Sequence, residues 1–351
     1  MEGKLLLLIS ILLFFLVLVW CTIGISLLYR KIRKKQLDRI EYTFANEIAK
    51  YLYPPRGEEY SFINVQRALQ AVGAKPSKKA NIQYLIDLMI RAQRTMLGEN
   101  YIKLRLLFSQ IPPYRAAQSK LKSRKWYVKA RGIREIYEME QSQYLKDVTR
   151  ERNNPNIYVR REAQIAMVVF LGWESLRFLP YLKREMTLWQ QIKIVEKLFA
   201  LYPDPKIKYL KKTYATQRPY AQELLMRIIR KYNLFTEVDY IIGFLDHESF
   251  DRRETAIYCI SSFKLTGEQL QEVKAKIFNV PTIEQQVQLL KYIHQISDTP
   301  DLEFYDAILH TGNDILELSA AEILWTSGHE KLVHEFYYSQ YSTIDALKEV
   351  I

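Results

Sequence analysis

The sequence predicts an all-α protein, an α-solenoid of stacked helical hairpins with a single N-terminal transmembrane helix. Three observations lead there. Glycine is scarce, 11 of 351 residues, and the 12 prolines fall mostly between helical patterns. Residues 5–29 contain no charged side chain. A turn followed by Arg-Arg-Glu occurs twice: Asn154-Pro155 precedes Arg160-Arg161-Glu162, and Leu245-Asp246 precedes Arg252-Arg253-Glu254. The first arginines of the two pairs lie 92 positions apart, room for three units of about 31 residues. A two-helix unit of that length cannot bury its apolar face alone, so it stacks on its neighbours.

The chain opens with the uncharged run. As a helix rising ~1.5 Å per residue, 5–29 extends about 37 Å, sufficient for a hydrocarbon core of ~30 Å. A secretory signal has a shorter core and small residues at its cleavage site, whereas this run carries Trp20 before Cys21 and stays apolar afterwards. Only Lys4 precedes the run, but Arg30, Lys31, Arg33, Lys34 and Lys35 follow it. Basic flanks remain cytoplasmic, which predicts a single-pass protein of the cell membrane with its body in the cytoplasm. The same five cations are expected to attract anionic lipid headgroups, at ~1 kcal/mol each. Residues 1–35 thus form an anchor with a basic juxtamembrane segment.

Residues 36–111 read as an N-terminal cap region of four helices, 36–53, 60–72, 77–96 and 99–111, separated by Pro54-Pro55-Arg56-Gly57, Gly73-Ala74-Lys75-Pro76 and Gly98, and closed by Pro112-Pro113. Leu85, Leu88, Met89, Ala92 and Met96 mark a core stripe.

Residues 112–351 form the predicted array. In the helix after Asn154-Pro155, Val159, Ala163, Ala166 and Phe170 share one face, Arg160, Arg161 and Glu162 lie outside it, and Gly172 ends it. Steps of 30 to 33 residues from Arg160 give a polar column, Lys129, Arg160, Gln191, Gln222, Arg252, Glu284 and Glu317. Three residues beyond each stands the position expected against a partner helix: Gly132, Ala163, Ile194, Leu225, Thr255, Val287 and Ala320. Shorter helices are expected before most of these, at 174–183, 206–214, 238–245, 269–278 and 302–310.

These residues resemble the HEAT-repeat family, whose units carry an Asp or Asn-Pro turn, then Val-Arg, then small residues on the second helix. Val159-Arg160-Arg161-Glu162-Ala163 after Asn154-Pro155 carries the resemblance best, and Arg252-Arg253-Glu254-Thr255-Ala256 after Leu245-Asp246 nearly as well. The resemblance implies that second helices line a concave face, and that Asn154 with Arg160, and Asp246 with Arg252, form a ladder between units. It also implies an interaction platform. Some HEAT-like proteins act on nucleic acid, and Lys125-Trp126-Tyr127 with Lys129-Ala130-Arg131 interleaves aromatic and basic residues compatibly with that, but a membrane anchor is a poor companion for such an enzyme.

No catalytic, cofactor-binding or metal-ligating set can be picked out. His329 and His334 are five apart, which at ~3.6 residues per turn points the two imidazoles in different directions. Cys21 lies in the apolar run, and Cys259 reads as a small buried thiol. The net charge of +12 is a dipole. Residues 1–35 carry six basic and one acidic side chain, residues 36–230 carry 36 and 18, and residues 231–351 carry 9 and 20.

The expected function is therefore a membrane-anchored, non-enzymatic scaffold that binds a protein partner at the cytoplasmic membrane face. Its candidate contacts are Lys125, Lys129, Arg131, Arg160, Gln191, Gln222, Arg252, Glu284 and Glu317. The alternatives are an accessory subunit of a membrane enzyme, such as an envelope-polysaccharide glycosyltransferase, and a HEAT-like nucleic-acid-binding or repair enzyme.

Overall fold

The computed structural model describes residues 2–54, 60–297 and 299–338; Pro55-Arg56-Gly57 and the last expected residues of the array, 339–351, lie outside them. The described chain is all-helical, with no strand.

Helix α1 (Glu2–Leu52) runs without interruption from the apolar segment into the body. It is the one described helix long and apolar enough to cross a membrane, with a mean hydropathy of 2.0 over its most apolar 18-residue window. Every side chain from 13 to 32 is exposed. From Arg33 onward a single face turns inward: Ile40, Phe44, Ile48 and Leu52 recur at helical spacing and are buried. One helix therefore changes from an all-round apolar surface, which ends at Tyr29, to a one-sided buried stripe that begins at Ile40, about three turns later.

The chain divides into two compact units, Met1–Phe170 and Leu171–Ile351. In the first, α1 packs on α2 (Phe62–Ala71), α3 (Lys79–Thr95) and α4 (Gly98–Gln110), and α3 packs in turn on α5 (Pro112–Leu121) and α6 (Trp126–Glu138). The predicted stripe on α3 is in the core, with Leu85, Leu88 and Met89 buried and Ala92 and Met96 packed at its edge. Helices α5 and α6 approach most closely at Gly132. A Cβ there would stand 2.6 Å from the Lys120 Cβ and 2.9 Å from the Leu121 backbone nitrogen, so no larger residue fits. Helices α7 (Leu145–Arg150) and α8 (Ile157–Leu171) complete the unit.

Gly172 follows α8 with φ +55°, and a Cβ on it would lie 2.8 Å from the Tyr202 ring, so both backbone and space require glycine. A 3₁₀ segment, Gly172–Tyr181, then replaces the helix expected at 174–183, with Pro180 inside it. The second unit continues with α9 (Leu188–Leu201), α10 (Ile207–Lys211), α11 (Pro219–Lys231), α12 (Val238–Ile242), α13 (Phe250–Ile260), α14 (Gly267–Ile277), α15 (Ile283–Ile296), α16 (Leu302–Leu309) and α17 (Asp314–Thr326). Its longer helices pack in chain order, α9 on α11, α11 on α13, α13 on α15 and α15 on α17. Among the shorter elements α10 packs on the 3₁₀ segment and α12 on α14. Local signals place their ends: Pro219 opens α11, and Thr266 with Gln269 forms a capping box at α14.

One hydrogen-bonding arrangement recurs at the start of the longer helices. Arg160 Nη1 donates to the carbonyl oxygens of Asn154 and Pro155 at 2.8 and 3.3 Å. Arg253 Nη1 donates in the same way to His247 and Glu248 at 2.6 and 2.9 Å. Gln222 Nε2 reaches the Thr216 carbonyl at 3.0 Å, and Gln286 Nε2 that of Val280 at 2.9 Å. Glu317 accepts instead, from the Gly312 backbone N–H at 2.6 Å. In each case a side chain in the first turn or so satisfies a backbone group five or six residues earlier, in the turn leading into the helix. Three residues beyond these positions stand Ala163, Leu225, Ala256, Leu289 and Ala320, all 0% exposed.

This register corrects the expected one at two points. Arg253 and Gln286 hold the places assigned to Arg252 and Glu284, and Val287 is correspondingly only half-buried. Arg160 and Glu162, expected outside the core, are buried. The expected Asp246–Arg252 rung is absent: Asp246 receives Lys276 Nζ at 2.9 Å, and Arg252 Nη1 donates to Gln222 Oε1 at 3.0 Å. Two tyrosines tie successive long helices of the second unit, Tyr232 donating to the Tyr202 carbonyl at 2.8 Å and Tyr292 to that of Phe263 at 3.0 Å.

Candidate functional site

Helical spacing gathers an arginine-rich cleft in the first unit. On α3, Asp87, Arg91 and Arg94 follow one another at i, i+4 and i+7, and on α6 Tyr127, Arg131 and Arg134 do the same. With Trp126, Tyr158, Arg161 and Glu162 they line a cleft of about 490 Å³. Its lining holds five arginines against three carboxylates, Asp87, Glu135 and Glu162.

Aromatic rings form one wall. Trp126 stacks on Tyr158 with centroids 5.0 Å apart and planes 21° from parallel, and meets Tyr127 edge-on at 5.7 Å. The Arg161 guanidinium lies 5.5 Å from the Tyr158 ring. All three rings are exposed, leaving flat apolar surface beside cations.

The arginines are held to different degrees. Arg131 pairs with Asp87 and Glu135, each at 3.1 Å, Arg94 with Glu138 at 3.0 Å, and Arg161 with Glu162 at 2.9 Å. Glu162 also accepts from the Tyr137 hydroxyl at 2.8 Å. Burial, and after it the Glu162 charge, keeps that phenol protonated far above its ordinary range, so it remains a donor at neutral pH. Neither Arg134 nor Arg91 has an ion-pair partner among the described residues, and the Arg91 guanidinium lies 5.9 Å from the Tyr84 ring. These two supply the uncompensated charge.

No protein-family model matches this chain, and no curated protein does. The site therefore stands on its own geometry.

Of the nine residues predicted to meet a partner, the structure brings only Arg131 into the cleft, with Lys125 exposed beside Trp126. Lys129 lies on another side of α6 and pairs with Glu151 at 2.6 Å. Arg160, Gln191, Gln222 and Glu317 are buried, which removes them as contacts. Their polar atoms serve the fold: Gln191, for instance, donates to Glu223 at 2.8 Å and accepts from Arg227 at 3.1 Å. Arg252 is engaged by Gln222, and Glu284 is exposed outside the cleft. Sequence reasoning missed Arg91, Arg94, Arg134, Tyr158 and Arg161. A signal was present, since Tyr127 and Tyr158 are 31 positions apart and Trp189 a further 31, one aromatic per repeat length.

Among the described residues no group of three His, Cys, Asp or Glu is placed to hold a metal ion. Cys259 is buried, and that burial pushes its thiol up to about 12, so it is not a nucleophile at neutral pH.

Proposed function

We propose that this protein is a membrane-anchored HEAT-like α-solenoid that holds an acidic segment of a protein partner at the cytoplasmic face of the membrane. The observation that carries this reading is the cleft of five arginines and three carboxylates walled by stacked aromatic rings. An acidic chain would satisfy Arg91 and Arg134 with its carboxylates and lay its backbone and aliphatic carbons along Trp126, Tyr127 and Tyr158. The repeating turn-to-helix hydrogen bonds and the chain-order packing of α9, α11, α13, α15 and α17 support the solenoid. The apolar helix and the cations after it support the anchor and its orientation. A reporter fused after Ile351 is expected to be active in the cytoplasm; activity on the far side of the membrane would refute that topology.

Arg91→Glu with Arg134→Glu is the informative variant, because Lys129 and Arg131 already serve internal ion pairs. Fluorescence anisotropy with a labelled oligoglutamate peptide should show binding that weakens with salt and falls at least about tenfold in the variant, a loss of ~1.4 kcal/mol. The helical circular-dichroism signal should be unchanged. Equal binding by variant and parent would refute the reading. Tighter binding of a single-stranded oligonucleotide than of the peptide would transfer the cleft to nucleic acid.

A further inference from the structure

A second and larger cleft of the first unit, about 860 Å³, lies between α2, α3 and α5. Its lining contains Lys79, Arg115 and Lys120 and no carboxylate. Lys120 is already held by Glu135 at 2.6 Å, but Lys79 and Arg115 are exposed and have no ion-pair partner among the described residues. Ile82, Ile111 and Val128 give the cleft apolar walls, and Gln66, Gln70 and Gln110 supply amides.

The position of this cleft relative to α1 gives it meaning. Arg33, four residues beyond the uncharged run, does not remain with its basic neighbours: its guanidinium bonds the Asn81 side chain on α3. Asn81 Nδ2 in turn donates to the Gly73 carbonyl at 2.8 Å, and Gln36 Nε2 lies 3.2 Å from where a Cβ on Gly73 would be. The loop after Gly73 and the start of α3 are thereby fixed within about a turn of the end of the apolar segment, ~6 Å along the helix axis. That loop carries Lys75 and Lys78, and α3 opens with Lys79, all three exposed; Pro76 and Lys79 line the cleft. Lys78 and Lys79 also stand at the first turn of α3, which has no acidic residue, where the helix dipole disfavours cations. They do not serve the stability of that helix.

We propose that this cleft takes the phosphate headgroup of an anionic membrane lipid, an inference that rests on the membrane-anchored reading above. Lys79 and Arg115 pair with the phosphate, the glutamine amides meet the polar headgroup, and the apolar walls receive the glycerol end of the chains. Lys75 and Lys78 form the rim on the leaflet with Lys31, Lys34 and Lys35, while Arg33 leaves the set expected to touch lipid.

The test uses the full chain in mild detergent, with native mass spectrometry reading the retention of phosphatidylglycerol against phosphatidylcholine of the same chain length. Phosphatidylglycerol should be retained preferentially, and Lys79→Glu with Arg115→Glu should reduce its retention at least about tenfold. Lys79→Arg with Arg115→Lys should preserve it, and circular dichroism should match the parent in both variants. Inorganic phosphate at millimolar concentration should not displace the lipid. Unchanged retention in the charge-reversed variant would overturn the assignment, and complete displacement by phosphate would give the cleft to a soluble anion instead. Flotation of the chain with neutral vesicles is measured separately: failure to float sinks the anchor, whereas normal flotation without lipid preference sinks only the headgroup site.

Discussion

Arg253→Ala is expected to destabilise the second unit by about 2–4 kcal/mol, whereas Arg252→Ala one position earlier should cost about 1 kcal/mol or less. Arg253 is 3% exposed, and its guanidinium donates to the carbonyls of His247 and Glu248 and, through Nε, to Gln285 Oε1 at 2.7 Å. Bonds from a charged donor contribute ~1.5–3 kcal/mol each, and deletion leaves the part-buried His247 and Glu248 carbonyls unmet while Gln285 Oε1 keeps only the Thr282 hydroxyl as a donor. The removed charge no longer has to be desolvated, which offsets part of the loss and sets the net below the sum of the bonds. Arg252 donates to the Gln222 side chain at 3.0 Å from a partly exposed position. Urea midpoints of the two variants decide the matter. Equal costs, or a larger cost at Arg252, would refute the register in which Arg253, not Arg252, corresponds to Arg160.

That register shows how far the sequence could be read. The long apolar helix is legible because 25 uncharged residues lie in one unbroken run, ended by five cations. The core stripe of α3 and the small positions Gly132, Ala163 and Ala320 are legible because burial follows helical spacing. The slip at Arg252 arises because Arg-Arg-Glu occurs twice and invites alignment of first arginine with first arginine. The turn before α13 begins one residue later than Asp246 suggests, and it is His247 that stands six residues before the bonded arginine, as Asn154 does before Arg160. The residue types recur, but the hydrogen bond from side chain to turn depends on the number of residues between them. Buried Gln191 and Gln222 were unreadable for a related reason: a glutamine looks like surface until the carbonyl or carboxylate it satisfies is located. The arginine cleft draws its residues from three helices of the first unit, so the sequence shows its parts without their meeting.

Glu135→Ala is expected to destabilise the first unit by about 3–5 kcal/mol at neutral pH, with a penalty that shrinks as pH rises. The Glu135 side chain is 3% exposed and receives Lys120 Nζ on both oxygens, Gln83 Nε2 at 2.8 Å and Arg131 Nε at 3.1 Å. Desolvation already holds the Lys120 ammonium below its ordinary pKa of 10.5, opposed chiefly by the charge and hydrogen bonds of Glu135. Without that carboxylate the folded-state value falls further, while the unfolded chain still titrates near its ordinary value. Between the two the unfolded state binds more protons, so the stability of the variant rises with pH across that window. The window closes at about pH 10, because burial and then carboxylate partners push Tyr60 and Tyr101 up to about 12 in the fold. The stability these phenols contribute is present below the unfolded tyrosine value of ~10 and is lost as pH rises through about 12. Denaturation between about pH 7 and 9.5 should therefore show parent and Glu135→Ala converging. The double variant Glu135→Ala with Lys120→Met, which leaves no stranded charge, should recover most of the loss at pH 7. A penalty independent of pH, together with a double variant no more stable than the single one, would show that Glu135 acts by packing rather than by neutralising a buried lysine.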